Sequence, residues 1–153
     1  FIRSGNSGGP AIIMPDFSLK VKVTKNTPGI SKAQIENEFL FWALSDVAIL
    51  EACEIKISEG TSPIPLIERI CTACLSLSAR ARVYDYSLGV NVANRLNDFC
   101  RNQFIADRKG HRIIIEKHIQ TLSTVFNQRL SGEGGKQGQE LQEELSQLVK
   151  KYT

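Results

Sequence analysis

The sequence has few of the features that identify a membrane protein or an enzyme. No apolar run approaches the roughly 18 residues that a membrane-spanning helix needs. Only two histidines and four cysteines occur among 153 residues, so few side chains could serve a metal or nucleophilic site. No Walker-type loop, dinucleotide fingerprint or paired-carboxylate motif is present. We therefore expect no membrane association, no cofactor, no metal and no enzymatic activity.

The composition is that of an ordinary globular protein. Apolar residues make up 42% and charged residues 23% of the chain, and the length favours a single hydrophobic core. All four cysteines fall within apolar helical patterns, unlike the dense cysteine spacing of small secreted scaffolds. They are Cys53, Cys71, Cys74 and Cys100. We expect reduced thiols and a cytoplasmic location.

Apolar residues at steps of three and four predict a mainly α-helical fold. Ser31 and Gln34 form a capping box that begins a helix of about 26 residues, and Ser62-Pro63 begins the next. Further helices are expected at about 90–107 and 111–130, with Lys109-Gly110 as the stop signal between them. Gly89 indicates a break or a close helix approach. The short links favour an up-and-down bundle of four to five helices.

The N-terminal region has a different pattern. Residues 17–25 alternate apolar and polar side chains and predict one β-strand, which could pair with residues 11–13 as a hairpin. The strand would be an appendage to the helices. Met14 could be a native start preceded by added residues, or an ordinary internal methionine. The predicted organisation is a flexible tail (1–16), a helical domain with an N-terminal strand (17–130), a flexible linker (131–138) and a C-terminal amphipathic helix (139–153).

The C-terminal helix carries one narrow apolar seam amid Gln and Glu. A seam this narrow suits packing against another helix or another chain better than a broad core contact. We predict that it binds a partner or a second copy. Its residues are Leu141, Leu145, Leu148 and Tyr152.

The segment Gly5-Asn6-Ser7-Gly8-Gly9-Pro10 resembles the nucleophile loop of chymotrypsin-like (trypsin-like) serine proteases, especially the high-temperature-requirement branch. The resemblance implies Ser7 as nucleophile, with the N–H groups of Gly5 and Ser7 as oxyanion donors. It covers six residues, and the His and Asp that precede this motif in that family are absent upstream. The interpretations are, in order of preference, a flexible tail, a piece of a larger protease and an active protease.

Cys71-Thr72-Ala73-Cys74 has the spacing used in zinc and redox sites. No second pair of matching spacing accompanies it, and it lies inside a predicted helix. We interpret it as core packing, with a metal or redox site as alternatives. His118 and Asp46 lie on apolar stripes, where most such groups are hydrogen-bonded core residues.

Positive charge is concentrated in one part of the chain. Residues 80–129 carry nine Lys or Arg against four Asp or Glu. Cations interleaved with Tyr and Asn can bind phosphates and bases, or an acidic protein, or form a solvated face. The candidate binding residues are Arg80, Arg82, Arg95, Arg101, Arg108, Lys109, Arg112 and Lys117.

Three functional hypotheses follow, in order of preference. The first is a non-enzymatic helical interaction or self-assembly module that acts through a protein partner or as a homo-oligomer. The second is a nucleic-acid (RNA) binding or packaging subunit that uses residues 80–117. The third is a fragment of a larger protein that contains a protease region.

Overall fold

The computed structural model describes residues 31–153. The expected tail, strand and hairpin, together with the protease-like motif, lie outside the described residues. The described residues divide into two units between Asn37 and Glu38, and the apolar core described below lies in the second. The described part contains five α-helices: α1 (Lys32–Ser58), α2 (Pro63–Val83), α3 (Ser87–Asn102), α4 (Lys109–Asn127) and α5 (Gly135–Tyr152).

Helix α1 has the start that the sequence predicts. The Gln34 N–H donates to Ser31 Oγ (3.1 Å), and the Ser31 N–H donates to Gln34 Oε1 (2.8 Å), so both partners of the capping box are engaged. The helix runs for 27 residues. It ends at Ser58, and Gly60 follows with a φ of 92° that is readily available only to glycine.

The boundary between α3 and α4 differs from the prediction. Helix α3 ends at Asn102, and Lys109-Gly110 begins α4 instead of ending α3, so the predicted stop signal was wrong. The cause lies in His111, whose Nδ1 accepts a hydrogen bond from the Ile105 N–H at 3.0 Å. Because the Ile105 N–H is bonded to the imidazole, it does not join the backbone hydrogen bonds that would continue α3. The chain turns beside the imidazole ring.

Successive helices run in alternating directions, so the described part is an up-and-down bundle as expected. Phe39 near the start of α1 stacks on Tyr84, just past the end of α2 (ring centroids 4.6 Å apart). The start of α3 meets the end of α4 where Gly89 packs against Phe126, which confirms the predicted close approach at Gly89. Both contacts belong to one core to which all five helices contribute.

The turn between α4 and α5 is built from glycine. The sequence prediction placed a linker at 131–138 and began the last helix at 139, whereas α5 begins at Gly135. Gly132 and Gly134 have positive φ, and a Cβ atom on Gly134 would lie 2.6 Å from the Leu88 side chain. Glycine is therefore required here both by backbone conformation and by the space that Leu88 fills.

Candidate functional site

Two of the candidate cations make contacts within the bundle. Arg80 Nη1 lies 3.1 Å from Asp46 Oδ2, and its guanidinium lies 5.6 Å from the centre of the Trp42 ring. Arg95 donates from Nη2 to Ser146 Oγ at 3.0 Å, which joins α3 to α5. Both arginines are half-buried. These contacts indicate that both arginines stabilise the packing of the helices.

Asp46 is the buried carboxylate on the apolar stripe of α1, 9% exposed. Burial raises the pKa of this carboxyl, and the Arg80 guanidinium and a hydrogen bond from Ser76 offset part of that rise. Desolvation outweighs the attraction because both charges leave water to form the pair. Asp46 is thus the satisfied polar group that the sequence interpretation favoured.

The remaining candidate cations lie at different places on the surface. Arg82 is exposed at the end of α2, and Lys117 lines a shallow groove between α4 and α5. Arg101 is exposed near the end of α3 and donates from Nε to Asn97 Oδ1 at 3.1 Å. Arg108 and Lys109 are exposed at the start of α4, followed by the half-buried Arg112.

The fold adds cations that lie far away in the sequence. The last turn of α5 packs against the first turn of α4. The Tyr152 ring occupies the space that a side chain at Gly110 would need. Lys150 and Lys151 of that last turn are exposed. We call the combined surface the basic end; it comprises Arg101, Arg108, Lys109, Arg112, Lys150 and Lys151. A sequence window restricted to residues 80–117 could not include the two lysines.

Two features of α4 bear on the basic end. As in α2, α3 and α5, the first turn of α4 contains no acidic residue and no side chain caps it, although the N-terminus of a helix is the end that favours negative charge. The Nε atom of Arg112 is buried without a hydrogen-bond partner. Positive charge is thus concentrated where the helix itself is already positive.

The predicted seam of α5 packs against its own chain. Leu145 is 2% exposed and belongs to the core, and the other three seam residues are partly buried against that core. Leu141 and Leu148 border the groove that Lys117 also lines. The neighbour of this seam in the structure is therefore α4, and little of the seam is left for a second chain.

The four cysteines are free and buried. Burial raises the pKa of each thiol, to about 12 for Cys74. A thiol that remains protonated is a poor nucleophile and a poor metal ligand. The Cys71 and Cys74 pair therefore fits the core-packing interpretation, on the α2 side of the contact with α3.

Both histidines are buried. His118 lies 2.8 Å through Nδ1 from the Ile114 carbonyl oxygen, and burial lowers its pKa to about 4, so it is neutral near pH 7 and donates this bond. His111 accepts the bond from Ile105 and packs edge-on against Phe99. The sequence offered no signal for this turn-forming role of His111.

Within residues 31–153, no three His, Cys, Asp or Glu side chains are grouped so that they could hold a metal ion. No helix in this same range is long and apolar enough to cross a membrane.

The most distinctive surface of the described part is on α1. One side of this helix is buried in the core, through Phe39, Ala43, Leu50 and others. The opposite side is also apolar, and we call it the outer face of α1; it comprises Phe41, Ser45, Ala48, Ala52 and Ile55. Phe41 is 64% exposed and Ile55 is 52% exposed. The periodicity of the sequence predicted only the buried stripe of α1, not this second one.

Charges of opposite sign border the two sides of the outer face. Beside α4, a shallow groove is lined by Glu51, Glu54 and Glu116 together with Ile55. Beside α2, a second groove is lined by Lys56 and Arg69 together with Ala48 and Ala52. The outer face is thus an apolar ridge with an acidic side and a basic side.

Comparison with known proteins gives no match to a family model, to a curated protein or to a solved structure.

Proposed function

We propose that this chain is a non-enzymatic helical module that self-assembles through the outer face of α1. The observation that carries the proposal is that α1 is apolar on two opposite sides, of which the bundle covers one. An apolar side of a helix is ordinarily packed against another element. A second copy of the chain would cover the remaining side.

The charged borders favour a second copy as the partner. A surface with one acidic and one basic side is complementary to itself when two copies place opposite sides together. The α5 seam, which the sequence favoured for assembly, is less suitable because α4 already packs against it. With four reduced, buried thiols, the cytoplasm is the compartment that we propose.

Sedimentation equilibrium of the full chain over a range of concentrations tests self-assembly. We expect concentration-dependent dimers for the wild type and monomers for Ala48→Glu, because a charge at the centre of the outer face would lose its water on association. Val83→Glu is the matched control, since Val83 is 72% exposed and belongs to α2, outside the outer face of α1. A wild type that remains monomeric at every concentration would refute the proposal.

Nucleic-acid binding is the second candidate, and the basic end is the observation that favours it. Six cations from the ends of three helices lie on one end of the bundle, beside the uncapped N-terminus of α4. Phosphate groups would neutralise this charge, and phosphate contacts dominate non-specific binding to nucleic acids.

Fluorescence anisotropy with single-stranded RNA tests the second candidate. We expect Arg108→Gln/Lys150→Gln/Lys151→Gln to weaken binding about tenfold and to reduce its salt dependence. Arg82→Gln/Lys136→Gln is the control, because both residues are exposed at the opposite end of the bundle. Equal binding by wild type and triple variant would exclude the basic end as the RNA surface.

A further inference from the structure

We infer that two copies pair through the outer face of α1 in parallel, in register, about a two-fold axis that runs along the helices. The inference rests on the proposed function and specifies its geometry. It follows from the spacing of the outer-face residues and from the placement of the charges beside them.

The outer face has the spacing of a two-stranded coiled coil. Its five residues follow one another at steps of four, three, four and three, which keeps them on one side of the helix and matches the a and d positions of a heptad. Phe39, Val47 and Leu50, on the other side of the helix, are buried in the bundle. One helix therefore serves the core on one side and can serve a coiled-coil seam on the other.

The centre of this seam allows two helices to approach closely. Ala48 and Ala52 are small and exposed, with the larger Phe41 and Ile55 at the two ends. Ser45 is the polar member of the set, and its hydroxyl donates to the Phe41 carbonyl oxygen at 2.9 Å. Because that hydrogen bond is made within the helix, Ser45 can enter an interface without leaving a donor unsatisfied.

The flanking residues distinguish parallel from antiparallel pairing. In a parallel coiled coil, a residue at position g lies beside the residue five positions later in the other helix, at position e. Glu51 and Lys56 have this relationship, and so have Leu44 and Ile49. Parallel pairing therefore forms two Glu51–Lys56 ion pairs and two apolar contacts across the seam.

The grooves on either side lead to the same arrangement. A two-fold axis along the helices places the α4 side of one copy against the α2 side of the other. The groove with Glu51, Glu54 and Glu116 would then face the groove with Lys56 and Arg69. Face-to-face antiparallel pairing would place the acidic sides together and the basic sides together, which is unfavourable.

Disulfide trapping of the full chain tests this geometry. In the parallel pair, residue 55 of one copy lies opposite residue 55 of the other, so Ile55→Cys should form a covalent dimer under mild oxidation. The four native thiols are buried and should not contribute. Val83→Cys is the exposed control and should remain monomeric. If only Phe41→Cys/Ile55→Cys forms covalent dimers, and neither single variant does, the pairing is antiparallel and the inference is wrong.

A charge swap provides an independent measurement. Glu51→Lys and Lys56→Glu should each weaken the dimer about fivefold, because each converts two attractions into repulsions. The double variant Glu51→Lys/Lys56→Glu should recover wild-type affinity. If Ala48→Glu disrupts the dimer but the charge swaps do not change its affinity, the parallel register is wrong. The proposal of self-assembly would still hold. A strict monomer would refute both proposals.

Discussion

The Phe126 ring on α4 fills the space that a side chain at Gly89 on α3 would need: a Cβ atom there would lie 2.7 Å from Phe126 Cζ. Both residues are buried, so neither can move into solvent. We predict that Gly89→Ala lowers the free energy of unfolding by about 1–3 kcal/mol through overpacking. Urea denaturation followed by circular dichroism measures the change.

The double variant Gly89→Ala/Phe126→Leu checks the cause. With the smaller side chain at 126, alanine at 89 should become neutral or stabilising, because alanine favours a helix over glycine by about 1 kcal/mol. A Gly89→Ala cost that is unchanged in the Phe126→Leu background would show that the ring is not responsible.

The Asp46–Arg80 pair predicts an asymmetry between its two members. Arg80→Ala leaves a buried carboxylate without its cation and should cost about 1–3 kcal/mol at pH 7. Asp46→Asn retains a hydrogen-bond acceptor and removes the buried charge, so it should cost clearly less. Because the pKa of Asp46 is raised in the folded state, the cost of Arg80→Ala should shrink as the pH falls and this carboxyl is protonated. Equal costs at all pH values would contradict this account.

His118 predicts a loss of stability in acid. Burial lowers its pKa to about 4 in the folded protein, against about 6.5 in an unfolded chain. The unfolded state therefore binds the proton first, and this residue's contribution falls as the pH drops from about 6.5 to 4, by at most about 1.4 kcal/mol per pH unit. In His118→Gln the dependence of stability on pH over this range should be smaller. Identical pH profiles for the two proteins would exclude the effect.

The thiols should be protected from alkylation in the native protein. Burial raises the pKa of Cys74 to about 12, so almost no thiolate is present at pH 8, and the side chain is out of reach of the reagent. We expect little incorporation of iodoacetamide at Cys74 and Cys100 in native buffer and complete incorporation in guanidinium chloride, by mass spectrometry. Rapid native labelling at either cysteine would contradict the core-packing interpretation.

The helical fold could be predicted from sequence because helix periodicity and capping are local signals. Ser31 with Gln34 marked the start of α1, and Ser62-Pro63 marked the start of α2. The α3–α4 boundary could not be predicted in this way. Lys109-Gly110 has the composition of a helix end. The boundary is set instead by the hydrogen bond from the Ile105 N–H to His111, six residues later, and helix propensities do not predict such a side-chain bond.

The surfaces were harder to predict than the helices, because they depend on which segments meet. Arg80 and Arg108 have the same chemistry in the sequence, yet Arg80 is paired with Asp46 and Arg108 is exposed at the start of α4. The outer face of α1 was missed for a related reason. Apolar residues on two sides of a helix give a pattern that is easily attributed to one buried stripe.

Backbone hydrogen bonds join the two turns at the far end of the bundle. Gly132 donates to the Asp85 carbonyl oxygen at 2.6 Å and accepts from the Leu88 N–H at 2.8 Å. During synthesis on the ribosome, the corner between α2 and α3 emerges long before Gly132 does. That corner cannot reach its final form until the residues up to Gly132 have left the ribosome, so the turn between α2 and α3 is completed only after α4 has emerged.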